Sequence, residues 1–213
     1  MDNKKIPMLG IGVTSYHRPE HLELCLQQIQ QFTSNYRLVV VKDVLGINHA
    51  KNECLDKLKD CQHIVLFDDD CFPIKKGWEN ILIDSNVNHL LYCTPEHGIR
   101  EKIRDNIYAY HNCAGCMVYV RNNPECSEIR YPKDYMQYGF EHAAFSFSFY
   151  KSRLIPHPYI SISNMNEYIH SLDINGVSDF KIKHRSSVDI DNVIESVNHN
   201  FKLFTKNIYE NSL

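Results

Sequence analysis

Several features are missing or scarce in this sequence. No apolar run approaches the roughly 20 residues of a membrane-spanning helix. The opening MDNKKIPMLGIGVTSY has a short apolar stretch, but neither the length nor the small-residue cleavage site of a signal peptide. These absences predict a soluble, cytoplasmic protein. Neither sign of charge dominates: 23 Lys and Arg stand against 26 Asp and Glu, a formal net charge of -3, so no general nucleic-acid binding is expected. Among the eight cysteines, Cys113 and Cys116 form a CxxC, but the second pair usual in a four-ligand zinc site is lacking. The cysteines are therefore expected to be reduced and structural. No repeat or low-complexity linker divides the chain.

What is present suits one domain over residues 1–213. With 43% hydrophobic residues in 213, the chain can bury a substantial core. Met8 to Ser15 reads as a strand, and Pro19 to Phe32 as a helix with Leu22, Cys25, Leu26 and Ile29 at helical spacing. A second strand is predicted at Leu38 to Val41, and a second helix over Asn48 to Leu58 with Ala50, Cys54, Leu55 and Leu58 on one face. Ile64 to Phe67 is a continuous apolar run, as expected for a strand covered on both faces. This alternation implies an α/β fold with a doubly wound, Rossmann-like sheet.

Beyond Pro73 the pattern becomes mixed and partly antiparallel. A helix is predicted around Trp78 to Asp84, with strands at Leu90 to Cys93, Asn106 to Tyr110 and Cys116 to Arg121. Gly139 to Tyr150 fits either a helix or a strand. A last strand at Lys181 to His184 and a helix over Asp191 to Tyr209 complete the chain.

The third strand runs into IVLFDDDCFP, where three adjacent carboxylates follow four large apolar residues. Like charges so placed call for a positive partner. In an extended segment alternate side chains share a side, so Asp68 and Asp70 are expected to point together as a D-x-D pair while Asp69 points elsewhere. Oxygen ligands favour a hard ion such as Mg2+ or Mn2+. In open α/β sheets ligands bind beyond the carboxyl ends of the strands, and Thr14 to Arg18, Asp43 and Asp68 to Asp70 all fall at that edge.

VTSYHRPEHLELCLQQI, HAKNECL and IVLFDDDCFP, in that order, resemble the nucleotide-sugar-binding half of GT-A fold glycosyltransferases of the glycosyltransferase family 2 kind. The resemblance is good over Met8 to Trp78 and weaker through GCMVYVRN, YGFEHAAFSFSFY and KIKHRSS. It implies a single GT-A domain with a mixed central sheet, residues 1–95 forming the nucleotide-sugar half and 96–213 the acceptor half. It also implies a metal-dependent transferase that moves a sugar from a nucleoside diphosphate sugar, with a UDP-sugar the foremost donor, to an acceptor hydroxyl, with inversion.

By the same resemblance Thr14, Ser15, Arg18, Asp43, Lys51, Asn52 and Asp69 bind the donor. Lys51 and Asn52 would stand near phosphate at a helix start, and Asp43 would read the base, although KDVLG replaces the family's D-D-G-S there. Asp68, Asp70 and His184 would ligate Mn2+ or Mg2+. Gly139-Phe140-Glu141-His142 takes the place of the family's G-x-E-D segment, which makes Glu141 the expected catalytic base and His142 the second candidate. Trp78 would border the acceptor. Two alternatives stand beside this reading: a nucleotidyltransferase, although GVTSYHRPEH is poor in the glycine of a phosphate loop, and a non-catalytic nucleotide-sugar or carbohydrate-binding module.

Overall fold

The computed structural model describes residues 9–136, 139–172 and 190–209. Five strands form the central sheet. Strand β1 (Leu9–Ser15) lies parallel between β2 (Tyr36–Lys42) and β3 (His63–Asp68). On the far side of β3 come β8 (Met117–Arg121), antiparallel to it, and then β5 (His89–Leu91), giving the order β2-β1-β3-β8-β5. The expected mixed sheet is thus present, its parallel part built from the first half of the chain. Every residue of β1 and four of the six in β3 are buried, which explains their unbroken apolarity.

Helix α1 (Pro19–Phe32) begins on Pro19, whose missing N–H costs nothing in the first turn, and buries His21, Cys25 and Ile29. Helix α2 (Ile47–Lys57) packs on β1 and approaches it closely through a glycine. A Cβ on Gly12 would stand 2.6 Å from Leu66 Cδ2 and 2.8 Å from Cys54 Cβ. The apolar positions of α2 are buried as their spacing predicts, but so are Asn48, Lys51 and Asn52. A second, polar face of this helix is therefore covered as well.

After β3 the chain turns at once into β4 (Cys71–Pro73), which pairs antiparallel with β10 (Ile169–Ser171). Helix α3 (Trp78–Ile83) follows. A separate antiparallel sheet joins β6 (Ile99–Arg104), β7 (Ile107–Tyr110) and β9 (Ile160–Ile162). The segment that fitted helix or strand is helix α4 (Glu141–Lys151). Its spacing buries Ala144, Phe145 and Phe149 together, with Phe145 stacked 4.1 Å from the ring of Tyr131. Helix α5 (Ile190–Tyr209) matches the helix predicted near the end of the sequence. The strand predicted over 181–184, and His184 with it, lies outside the described residues.

All eight cysteines are free. Among the described residues no cysteine belongs to a metal-competent group. The CxxC segment instead brings Gly115 against the start of α4, where a Cβ would sit 3.3 Å from His142 Cδ2. No helix among the described residues is long and apolar enough to cross a membrane.

Candidate active site

Parallel pairing fixes the site. Thr14 on β1 lies level with Asp68 on β3, and the Thr14 hydroxyl donates to Asp68 Oδ1 at 3.1 Å. Strand β3 ends at Asp68, and Asp69 and Asp70 form a turn. The turn overrides the alternation expected of an extended segment. Asp69 and Asp70 both face Arg18, and Asp68 faces the other way.

Arg18, just ahead of α1, donates from Nη1 to Asp70 Oδ2 at 3.0 Å, from Nε to Asp69 Oδ2 at 3.3 Å, and from Nη2 to Asp69 Oδ1. Its planar fork suits such a carboxylate pair. Burial alone would lower the Arg18 pKa, but the charges of Asp70 and Asp69 outweigh it and raise the value. Burial lifts the Asp69 carboxyl to about 7, with Arg18 pulling against it and Asp70 adding to it. Arg18, expected on the donor, thus spends much of its charge on the acidic turn.

Asp68 belongs to a second constellation. Lys51, fully buried on α2, donates to Asp68 Oδ1 at 2.9 Å, and its Nζ also meets His142 Nε2 and lies 3.6 Å from Glu141 Oε1. The geometry corrects the expected role of Lys51 at phosphate, because its ammonium is turned inward to carboxylates and has no solvent exposure. Burial tends to raise the Asp68 pKa, but the Lys51 ammonium and His142 more than offset it and hold Asp68 well below the ordinary carboxylate range. Asn52, the other residue expected near phosphate, is occupied elsewhere. Its amide exchanges two hydrogen bonds with the backbone of Tyr131, at 3.0 and 2.9 Å, and so pins that segment to α2.

Glu141 and His142 open α4, after Phe140 in the left-handed conformation. His142 Nε2 lies 3.6 Å from Asp68 Oδ2 and 3.7 Å from Glu141 Oε1. Because an ammonium can only donate, Nε2 must accept from Lys51, which leaves Nδ1–H to donate to the Tyr131 hydroxyl oxygen at 3.2 Å. Glu141 is 7% exposed, yet its Oε2 has no hydrogen-bond partner. Asp68, Glu141 and His142 each offer one donor atom within 4.8 Å of the others. Two carboxylates and an imidazole so placed, with one buried carboxylate oxygen unclaimed, fit a divalent cation.

A cavity of about 660 Å³ lies on the other side of Arg18, bordered by Ser15, His17, Leu22 and Asp43. Asp43 and His17 are both left-handed, and Asp43 Oδ1 accepts from the His17 backbone N–H at 3.0 Å and lies 3.2 Å from its Nδ1. Arg18 lines this cavity and grips the acidic turn, so it joins the two regions. Trp78 is not part of either. It is fully buried, its indole N–H donates to the Thr33 hydroxyl at 2.9 Å, and its ring lies 5.4 Å from Phe67. That corrects the expectation of an acceptor contact: the tryptophan finds its polar partner inside the core.

Sequence reasoning missed Tyr131. It lies in a stretch without periodicity, and only the fold brings its hydroxyl under His142.

No protein-family model matches the chain. It is 26% identical over 185 residues to an uncharacterised glycosyltransferase of Acanthamoeba polyphaga mimivirus, a match covering 79% of this chain and 69% of that protein. Its structure is similar to that of a Drosophila β-1,4-galactosyltransferase 7 mutant in complex with manganese, UDP-Gal and xylobiose. That likeness has a TM-score of 0.52 at 16% identity and covers 89% of this chain and 81% of the other. The mixed sheet and its flanking helices are those of the GT-A glycosyltransferase fold.

Proposed function

We propose that this GT-A fold chain is a divalent-metal-dependent glycosyltransferase that moves one sugar from a nucleoside diphosphate sugar to an acceptor hydroxyl with inversion, a UDP-sugar being the leading donor. The observation that carries the reading is the group formed by Asp68, Glu141 and His142 at the carboxyl edge of the parallel strands. It brings a cation site and an unclaimed carboxylate oxygen to one point. The likeness in fold to a galactosyltransferase bound to manganese and a UDP-sugar supports the same reading.

Asp68 and His142 would hold the cation, with Glu141 Oε1 facing the same point. When bound, the ion supplies Lewis-acid stabilisation to the departing diphosphate. An imidazole in the set suits Mn2+ better than the harder Mg2+. Asp70, expected as a ligand, is held by Arg18 and joins only if that pair opens. The 660 Å³ cavity beside Ser15 and Asp43 has the size and place for the donor nucleoside. His17 and Asp43 at its border offer hydrogen bonds to a base, and Thr14 steadies Asp68 below them.

Glu141 Oε2 is the base. The acceptor oxygen forms its bond to the anomeric carbon as the bond from that carbon to the diphosphate oxygen breaks. The electron pair leaves with the nucleoside diphosphate, and the acceptor proton passes to Glu141 Oε2. Attack opposite the leaving group inverts the anomeric centre. His142 is less suited to the proton, because its Nε2 would be committed to the cation and its Nδ1–H is donated to Tyr131.

Thermal shift and calorimetry against UDP, GDP, ADP, CDP and TDP, each with Mn2+, Mg2+ or EDTA, test the donor site. One nucleotide is expected to bind in a metal-dependent way, and Asp68→Asn to abolish that dependence. No binding under any metal condition overturns the reading, whereas binding without turnover on any acceptor returns a binding module.

A further inference from the structure

We propose that the Lys51 ammonium is a resident counter-ion occupying the cation seat, and that a divalent ion enters by displacing it. The proposal rests on the metal-dependent reading above.

A lysine is almost never fully buried unless it is paired, and Lys51 has no solvent exposure at all. Its Nζ touches Asp68 Oδ1 and His142 Nε2 and faces Glu141 Oε1, which are the three groups whose donor atoms cluster within 4.8 Å. An ammonium and a divalent ion cannot share these contacts, because both would stand within a few ångströms of each other in a poorly solvated site.

Lys51 also satisfies the seat incompletely. Its approach to Glu141 Oε1, at 3.6 Å, is beyond hydrogen-bond length, and Glu141 Oε2 has no partner. Within the seat itself, Asp68 and Glu141 share the single Lys51 ammonium. Exchanging one positive charge for two improves that balance.

The lysine can also shift. Its four-carbon stem is flexible, and Nζ already lies over the Tyr131 ring face, 5.6 Å from its centroid, so the ring attracts the ammonium as it loosens from the carboxylates. A lysine suits a group that must move, since a guanidinium fork would be fixed by several bonds at once.

The test uses Mn2+ alone as the probe, without nucleotide, on wild type and Lys51→Met at one fixed pH. Methionine keeps the length and apolarity of the stem and removes the competitor. Calorimetry is expected to show Mn2+ binding at least tenfold tighter in Lys51→Met, and its melting temperature to rise with Mn2+ more than that of the wild type. Equal or weaker Mn2+ binding by a folded Lys51→Met, or no Mn2+ binding by either protein, overturns the proposal.

A second readout needs no variant. The buried Lys51 ammonium should give a protected 15N–1H signal in the wild type, which is lost or shifted as Mg2+ is added. A signal unchanged at saturating Mg2+ also overturns the proposal, even if Lys51→Met fails to fold. The two ideas fail separately: metal-dependent UDP binding with a Lys51 that never moves leaves the donor site standing, and lysine displacement without nucleotide binding leaves only the cation exchange.

Discussion

Glu141 and Tyr131 illustrate two kinds of work inside one cluster. If Glu141 Oε2 takes the acceptor proton, Glu141→Gln keeps the shape and loses the base. The expected outcome is a fall in transfer rate of about 10²–10⁴-fold, with nucleotide affinity changed by less than about threefold, as read from kcat and calorimetric Kd side by side. A parallel loss of both would instead make Glu141 a binding residue. Tyr131 acts through His142: its hydroxyl lies 3.2 Å from Nδ1 while its backbone is tied to Asn52. Tyr131→Phe leaves a buried imidazole N–H without its acceptor. The expected cost is about 1–3 kcal/mol in urea unfolding, with metal affinity lowered because the ring is no longer oriented.

The elements that place these residues depend on close approach. Gly12 lets α2 lie against β1, and a methyl group there would meet Leu66 Cδ2 at 2.6 Å and Cys54 Cβ at 2.8 Å. Gly12→Ala is therefore expected to destabilise by about 1–3 kcal/mol, and to tighten Mn2+ binding, since the helix pushed off β1 carries the competing Lys51 ammonium away from Asp68. Urea unfolding and Mn2+ calorimetry on the same variant measure both effects. Much of this scaffold was legible in the sequence. Apolar runs marked the parallel strands, Pro19 marked the start of α1, and helical spacing marked the covered face of α2. The carboxyl edge was legible too, because parallel strands of similar length must end together. The side-chain partners were less so. A turn straight after Asp68 reversed the expected pairing of Asp68 with Asp70. Lys51, expected near phosphate, is instead buried by the fold against Asp68 and Glu141. Trp78 could not be assigned from composition, since its hydroxyl partner, Thr33, lies 45 residues away.

At the scale of the whole molecule, the core holds a histidine that links folding to pH. His89, on β5, is fully buried, stacked 4.5 Å from Phe149 and edge-on to Phe145, with Nδ1–H donating to the Tyr119 carbonyl at 2.9 Å and no partner for Nε2. Burial holds its pKa down to about 3, against an ordinary value of 6.5. The folded protein therefore keeps His89 neutral while the unfolded chain takes up a proton below about 6.5. Over that window the unfolded state binds more protons, so stability rises with pH. The contribution is complete above pH 6.5 and is lost progressively as pH falls toward 3. Asp69 acts in the opposite sense: its raised pKa of about 7 makes the folded state hold the extra proton, and its contribution is lost as pH rises from the ordinary carboxylate range toward 7. A stability profile of the wild type alone would mix the two. The difference between wild type and His89→Gln isolates the histidine, because glutamine retains an amide donor and cannot titrate. Urea unfolding between pH 7 and pH 4 is expected to show the wild type losing about 3 kcal/mol relative to His89→Gln. A difference that stays flat across the range would mean that His89 charges in place within the folded core.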